Sequence, residues 1–322
     1  MNDTPLGMQQ GEPKLKVKKS PKPKTKNVLV KYWDLYLIMV PGILFFIIYK
    51  YVPMWGVVIA FQDYSVFAGI QGSEWVGLKH FERMFQAEEF YRIFKNTLLI
   101  SLYKLFWGFP APIIVALLLN ELRNMMYKRT IQTVIYMPHF LSWVIVGGIM
   151  MNLLQPSTGI VNHFVQFLGF EPIYFIADEN WFRTVLVVSD LWKSVGWGTI
   201  LYLAALSGIN PQLYEAATVD GASKWQQTWH ITLPCLLPTI VILFILQMSS
   251  ILEVGFEQVF ILLNPLVYSV GDVFETYVYR VGVTQGQFSY TTAVGLFKSV
   301  IALFMVVMAN KIAKKLGQNG LW

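Results

Sequence analysis

Long apolar runs alternate with short polar stretches along this chain, and six of the runs approach the length of a membrane-crossing helix. They are Leu35–Val52, Thr97–Leu119, Tyr136–Leu154, Thr184–Ser207, Leu236–Leu252 and Thr291–Ala309, against about 20 residues for a straight helix through the hydrocarbon. The fifth is short and ends indistinctly. Lipid offers no partner to backbone N–H and C=O groups, so such runs must close their hydrogen bonds internally as helices. The pattern predicts an all-α integral membrane protein with six transmembrane helices.

The polar stretches divide the chain further. Residues 1–31 are rich in Lys and Pro, lack apolar periodicity, and are expected to be disordered. Residues 32–96 hold the first helix and an external loop, 97–310 a core of five helices with a polar segment at 214–234, and 311–322 a second tail. In the first external loop, Trp75, Phe81, Phe85, Phe90 and Tyr91 stand among charges, which suggests amphipathic pieces lying at the outer interface. The later external loop, about Val254 to Tyr290, ends in Gly- and Thr-rich sequence and is a candidate contact for an extracellular donor protein.

Composition agrees with the pattern: 55% of residues are hydrophobic and 14% charged, with a mean hydropathy of +0.49, too apolar for an ordinary soluble domain. The net charge of +6 would suit nucleic acid, but its placement points to topology instead. Lys14, Lys16, Lys18, Lys19, Lys22, Lys24, Lys26 and Lys31 all precede the first run. Arg123, Lys128, Arg129, Lys224, Lys311, Lys314 and Lys315 then fall on the same side of six spans, with fewer basic residues opposite. Positive-inside asymmetry therefore places both termini and the 214–234 segment in the cytoplasm. Cys235 is alone, so no internal disulfide is expected, and the four histidines are scattered without metal-ligand spacing.

The 214–234 segment carries the sharpest signal. Glu215-Ala216-Ala217 predicts the start of a short helix, Gly221 a bend, and Leu233-Pro234 the entry to the next helix, with Pro234 and Pro238 both suited to its first turn. Asp220 is a candidate cap for the turn at Gly221. Glu-Ala-Ala, three residues, Gly, nine residues, then Ile231-Thr232-Leu233-Pro234 resembles the EAA signature of binding-protein-dependent ABC importers. Asn96-Thr97-Leu98, Phe256-Glu257-Gln258-Val259 with Leu263-Asn264-Pro265, and the run from Pro41-Gly42 to Asp63-Tyr64 extend the resemblance to the maltose-type, or carbohydrate-uptake-1, permeases and their LplB-like branch. One departure is Thr228, where the family often has an aromatic residue; Trp225 and Trp229 take over as expected seating contacts.

The resemblance implies a type I ABC importer permease fold whose cytoplasmic coupling helix docks in a cleft of an ATPase subunit. It implies four kinds of partner: a second permease forming a heterodimer, an ABC ATPase dimer that binds the ATP–Mg, an extracellular solute-binding protein, and the lipid bilayer. No nucleic acid and no cofactor of the chain's own are expected. Nothing in the sequence matches Gly-x4-Gly-Lys-Ser/Thr, and no nucleophile–base pair stands out, so the chain reads as a non-enzyme.

Two polar stripes inside spans are the candidates for a substrate pathway. Asp190, Lys193, Ser194 and Trp197 recur at helical spacing in the fourth run, with Trp192 beside them; Gln247, Ser250 and Glu253 recur in the fifth. An ionisable group at mid-depth costs at least about 2.5–3.5 kcal/mol, so the stripe should face a cavity or a partner. The competing reading is an Asp190–Lys193 pair that satisfies itself. The family lines its sugar site partly from the helix before the EAA stretch, which favours the pathway: tryptophan faces for sugar C–H groups, Asp190 for hydroxyls, Lys193 for a uronate. Lys104 and Lys298 are also unusual at depth, and snorkelling or ion pairing is their expected role. The expected function is import of an oligosaccharide, with or without uronate, by alternating access. The rivals are an ABC permease for a non-sugar solute, an ion-driven carrier, which predicts interrupted helices and internal repeats, and an assembly protein without transport.

Overall fold

The computed structural model describes residues 32–315; the basic tail before Tyr32 and residues 316–322 lie outside the described residues. The described residues divide into two compact units, with the boundary between Trp55 and Gly56. In the first, α1 (Trp33–Phe46) runs on through a wide π-helical turn, Ile47–Tyr51, into Val52–Met54. Pro53 stands two residues past that turn; a proline cannot donate to the carbonyl four residues back, and a widened turn re-seats the ladder.

A 3₁₀ segment, Trp55–Phe61, leads into a two-stranded antiparallel ladder of the second unit, β1 (Gln62–Asp63) on β2 (Glu74–Trp75). Lys79 lies 3.0 Å from Asp63 and, by donating a hydrogen bond, holds that carboxyl below its ordinary range. Then come α2 (Lys79–Gln86), α3 (Glu88–Gly108) and α4 (Pro110–Glu121), the last two a continuous apolar rod with Pro110 in the first turn of α4. After α5 (Met125–Tyr136), the chain passes through a 3₁₀ turn at Met137–Phe140 into α6 (Trp143–Leu153) and α7 (Ile160–Phe167). The 26-residue α8 (Phe182–Ser207) leads to α9 (Pro211–Val219), α10 (Lys224–Gln227) and α11 (Leu233–Ser249). Finally α12 (Phe256–Leu262), α13 (Phe274–Tyr277) and α14 (Phe288–Lys315) close the chain.

The all-α membrane architecture is as expected, with differences in detail. Among the described residues, four helices are long and apolar enough to cross a membrane, or five if one bent pair is a single span. The remaining predicted span is α8, less apolar because Ser189, Asp190, Lys193 and Ser194 interrupt it. The expected straight third span, Tyr136–Leu154, is corrected: the axis turns by 103° between Met125–Phe140 and Trp143–Leu153. Pro138 stops the first piece, and Ser142 starts the second by accepting the Ile145 N–H at 3.4 Å. Pro238 is also corrected, since it lies inside α11 rather than in its first turn.

The two loop regions read as external are partly buried and partly exposed. Phe90 is buried with Met84, Ile93, Phe274, Tyr277 and Tyr290, so the first loop packs onto the later one and onto α14. Trp75, Phe85 and Tyr91 stay exposed, in keeping with amphipathic pieces, and Trp75 stacks on Phe61 at 5.7 Å. At the centre, α8 packs on α3, α4, α5 and α11, and a core of Ala116, Tyr202, Leu206 and Leu236 joins three of them.

Candidate functional site

The cytoplasm-assigned polar segment forms a rigid elbow. Asn210 caps α9 by accepting the Gln212 N–H at 3.0 Å, with Pro211 in the first turn, so the helix starts before Glu215 rather than at it, and Glu215 sits exposed in its middle. Gly221 has φ +78°, a left-handed conformation that only glycine adopts without strain. Its N–H donates to the Thr218 carbonyl at 3.1 Å and the Ala222 N–H to the Ala217 carbonyl at 2.8 Å. Those paired bonds close the helix end through the backbone. Asp220 occupies the C-cap position, but its side chain takes no part in that closure, which corrects the expected cap.

A capping box of Ser223 and Gln226 opens α10. Buried Gln227 ties the two arms by donating to Thr218 Oγ1 and the Ala222 carbonyl, both at 3.1 Å. Trp225 and Trp229, 70% and 53% exposed, meet edge-on at 5.9 Å on the outer surface. Ala216 is exposed, and Ala217 and Thr228 are half-buried.

Within the membrane region a cavity of about 510 Å³ opens between α3, α4, α8 and the end of α11. Asp190, Ser194, Trp197, Gln247, Ser250 and Glu253 all line it, which gathers residues from both predicted stripes. Trp192 does not: two residues on from Asp190 is about 200° round a helix, and it turns away. Lys193, expected on the pathway, does not line it either, and the competing Asp190–Lys193 pair does not form. Its ammonium donates to the carbonyls of His139 at 2.7 Å and Leu141 at 2.6 Å and stands 5.6 Å from the Trp143 ring. Lys193 therefore caps the broken helix end between α5 and α6, where carbonyls have lost their intrahelical donors.

Lys104 replaces Lys193 as the charged partner. Its Nζ lies 3.4 Å from Asp190 Oδ1, donates to the Val254 carbonyl at 2.7 Å, and bonds Gln258 Oε1. Gln258 is buried and fixed in turn by donating to the Leu186 carbonyl at 2.7 Å and Ser189 Oγ at 2.8 Å. Reasoning from the sequence passes over this clamp, because its members lie on α3, α8 and α12; the polar residue within Phe256–Val259 was the available signal. Lys298 is ion-paired with Glu275, beside a smaller cavity of about 290 Å³ that Glu253 also borders.

The cap makes Lys193→Met a sharp test of the bent span. Two partly buried carbonyls would lose charged donors at roughly 1–3 kcal/mol each, so the purified protein should unfold several degrees lower in detergent. An unchanged unfolding temperature would mean that water or a neighbouring chain takes over those carbonyls.

A family model described as binding-protein-dependent transport system inner membrane component matches residues 108–318. The chain is 50% identical over 304 residues to the polygalacturonan/rhamnogalacturonan transport system permease protein YteP of Bacillus subtilis (strain 168), covering 94% of this chain and 95% of that one. Protein LplB of the same bacterium is 51% identical over 288 residues, 89% of this chain and 91% of that one. Among solved structures, a chain of a bacterial ABC transporter involved in import of the acidic polysaccharide alginate matches with TM-score 0.83 and 41% identity, covering 90% of this chain and 98% of that one. A second alginate transporter structure, in complex with an alginate pentasaccharide-bound periplasmic protein, matches with TM-score 0.85 and 41% identity over 92% of this chain and 99% of that one.

Proposed function

This chain belongs to the family of binding-protein-dependent transport system inner membrane components, and from that premise we propose that it moves an acidic oligosaccharide through the cavity between α3, α4, α8 and α11. It is a permease subunit, not an enzyme; the ATP is hydrolysed by partners. The observation that carries the reading is the cavity itself. Its volume of about 510 Å³ lies within the usual range for small-molecule sites, and it concentrates Asp190, Ser194, Gln247, Ser250 and Glu253 in an otherwise apolar bundle. Hydroxyl-rich cargo needs such donors and acceptors, and Trp197 adds an aromatic face. The names of the relatives support an acidic sugar.

The partners follow from the same reading: an ATPase dimer, a second and different permease, and an extracellular solute-binding protein. Glu215, Ala216, Ala217, Trp225 and Trp229 on the elbow would meet the ATPase, and Gly221 would hold the elbow's angle. The placement of the basic residues supports cytoplasmic termini on a multi-pass protein of the cytoplasmic membrane. Alternating access would open the cavity to each side in turn.

The test is uptake of a labelled galacturonate tetramer into proteoliposomes holding the complete importer, with ATP inside and loaded binding protein outside. Uptake should require every component. Uptake driven by an ion gradient without the ATPase would sink the importer reading, while ATP-driven uptake of a non-sugar solute alone would sink only the cargo.

A further inference from the structure

The charges around the cavity are unexpected for an acidic cargo. Among the described residues Lys104 is the one cationic side chain lining it, against the carboxylates of Asp190 and Glu253. An anionic sugar entering that site would meet net repulsion unless a cation were released to it. We propose that Lys104 reads a uronate carboxylate in this cavity and that Asp190 is its resting counterion, displaced when the sugar arrives. The inference rests on the oligosaccharide reading above and adds the residue that selects for acid.

Geometry favours the exchange. The Lys104 side chain is only 12% exposed, so an ammonium without a counterion there would be costly. Two of its contacts are neutral, internal and short or fixed, the Val254 carbonyl at 2.7 Å and Gln258 Oε1. Gln258 is held with that oxygen aimed at Lys104, because its amide donates to Leu186 and Ser189. The third contact, to Asp190, is the longest at 3.4 Å, against about 2.7–2.9 Å for a good charge-assisted bond. Asp190 is also the more exposed partner, at 30%, and faces the cavity.

A sugar carboxylate can therefore take the place of Asp190 without disturbing the neutral anchors. Charge compensation at Lys104 is conserved in the exchange, and the freed Asp190 gains the ability to accept hydroxyl hydrogens from the same sugar. A neutral sugar offers no group to exchange and leaves the pair closed.

The test compares two tetramers, galacturonate and a counterpart with half its carboxyls reduced, each supplied on the binding protein to proteoliposomes containing the complete importer. The readout is the ratio of their uptake, normalised to loaded binding protein. Lys104→Gln should lower the acidic-to-reduced ratio about tenfold, the size of one charge-assisted hydrogen bond. Lys104→Arg should preserve most of the ratio, and Asp190→Asn should raise it, because the cation then waits without a counterion. Equal losses for both tetramers in Lys104→Gln and Lys104→Arg would make Lys104 a structural pin and overturn the proposal. Should Lys104→Gln fail to assemble, Asp190→Asn decides: an unmoved ratio overturns it. A wild-type importer that takes up both tetramers equally overturns the selectivity while leaving the importer reading intact; one that takes up neither removes both.

Discussion

Replacing Gly196 with alanine is expected to remove most folded permease from the membrane. Gly196 lies on α8 where α5 crosses it, and a Cβ there would stand 2.0 Å from the Ile135 carbonyl oxygen and 2.6 Å from its carbon. Both are backbone atoms, so no rotamer change relieves the clash; the two helices must separate. Separation would also pull the 3₁₀ turn away from Lys193, whose bonds to His139 and Leu141 depend on that approach, and would unstack His139 from Trp197, now 4.4 Å apart and parallel within 5°. Overpacking of this kind costs roughly 1–3 kcal/mol even in yielding cores, and a clash confined to backbone belongs above that range.

The measurement is the monodisperse fraction of detergent-extracted protein, with two controls. At Gly198 the nearest atom is Pro112 Cγ at 2.9 Å, part of a side chain, so Gly198→Ala should be milder. At Gly295 nothing lies within 4 Å, so Gly295→Ala should be neutral or slightly stabilising through helix propensity. A Gly196→Ala protein as stable as wild type would show that α5 and α8 do not pack at this distance.

The second large effect is expected at Gly221, where transport should fail without loss of the folded protein. Here there is no clash, since nothing lies within 4 Å; the constraint is φ +78°. Alanine in that conformation costs about 1–2 kcal/mol, whereas proline cannot reach it at all and also lacks the N–H that bonds Thr218. The elbow is exposed and remote from the cavity, so the damage should stay local: α9 would lose its angle to α10, and with it the position of Glu215 relative to Trp225 and Trp229. ATP-driven uptake should fall in the order Gly221→Asn, Gly221→Ala, Gly221→Pro, because asparagine tolerates the left-handed region best. Gly221→Pro should transport at least about tenfold less than wild type at equal membrane level. Full uptake by the proline variant would mean that the elbow's angle does not matter to coupling.

Those two glycines show how unevenly function was legible. Gly221 is marked in the sequence by its distance from Glu215 and Pro234 and by the turn chemistry around it. Gly196 carries no mark, because what makes it special is the carbonyl of another helix. The same contrast separates the residues of the cavity. Asp190, Ser194 and Trp197 share a helix face, and periodicity alone groups them; Gln247, Ser250 and Glu253 also meet at the cavity, but the expected helical stripe is corrected, because α11 ends at Ser249 and only Gln247 stands on it. Lys193 shares the first face by spacing, yet its long side chain reaches carbonyls on the broken span instead.

From the sequence alone came the apolar runs, the asymmetry of the basic residues, and the polar 214–234 segment with its helix–turn–helix grammar. These depend on local hydrogen bonding, side-chain polarity and backbone conformation, all set by residues near in the chain. Only the tertiary structure decided that the third run bends by 103°, that Asp190 pairs with Lys104, and that Pro238 lies within α11 after a π-helical turn at Thr228–Thr232. For the first two the deciding cation comes from another helix: Lys193 on α8 caps the break in the third run, and Lys104 on α3 pairs with Asp190. A lysine at depth must satisfy its charge with whatever partner packing brings within reach, and no spacing rule along one chain specifies that partner.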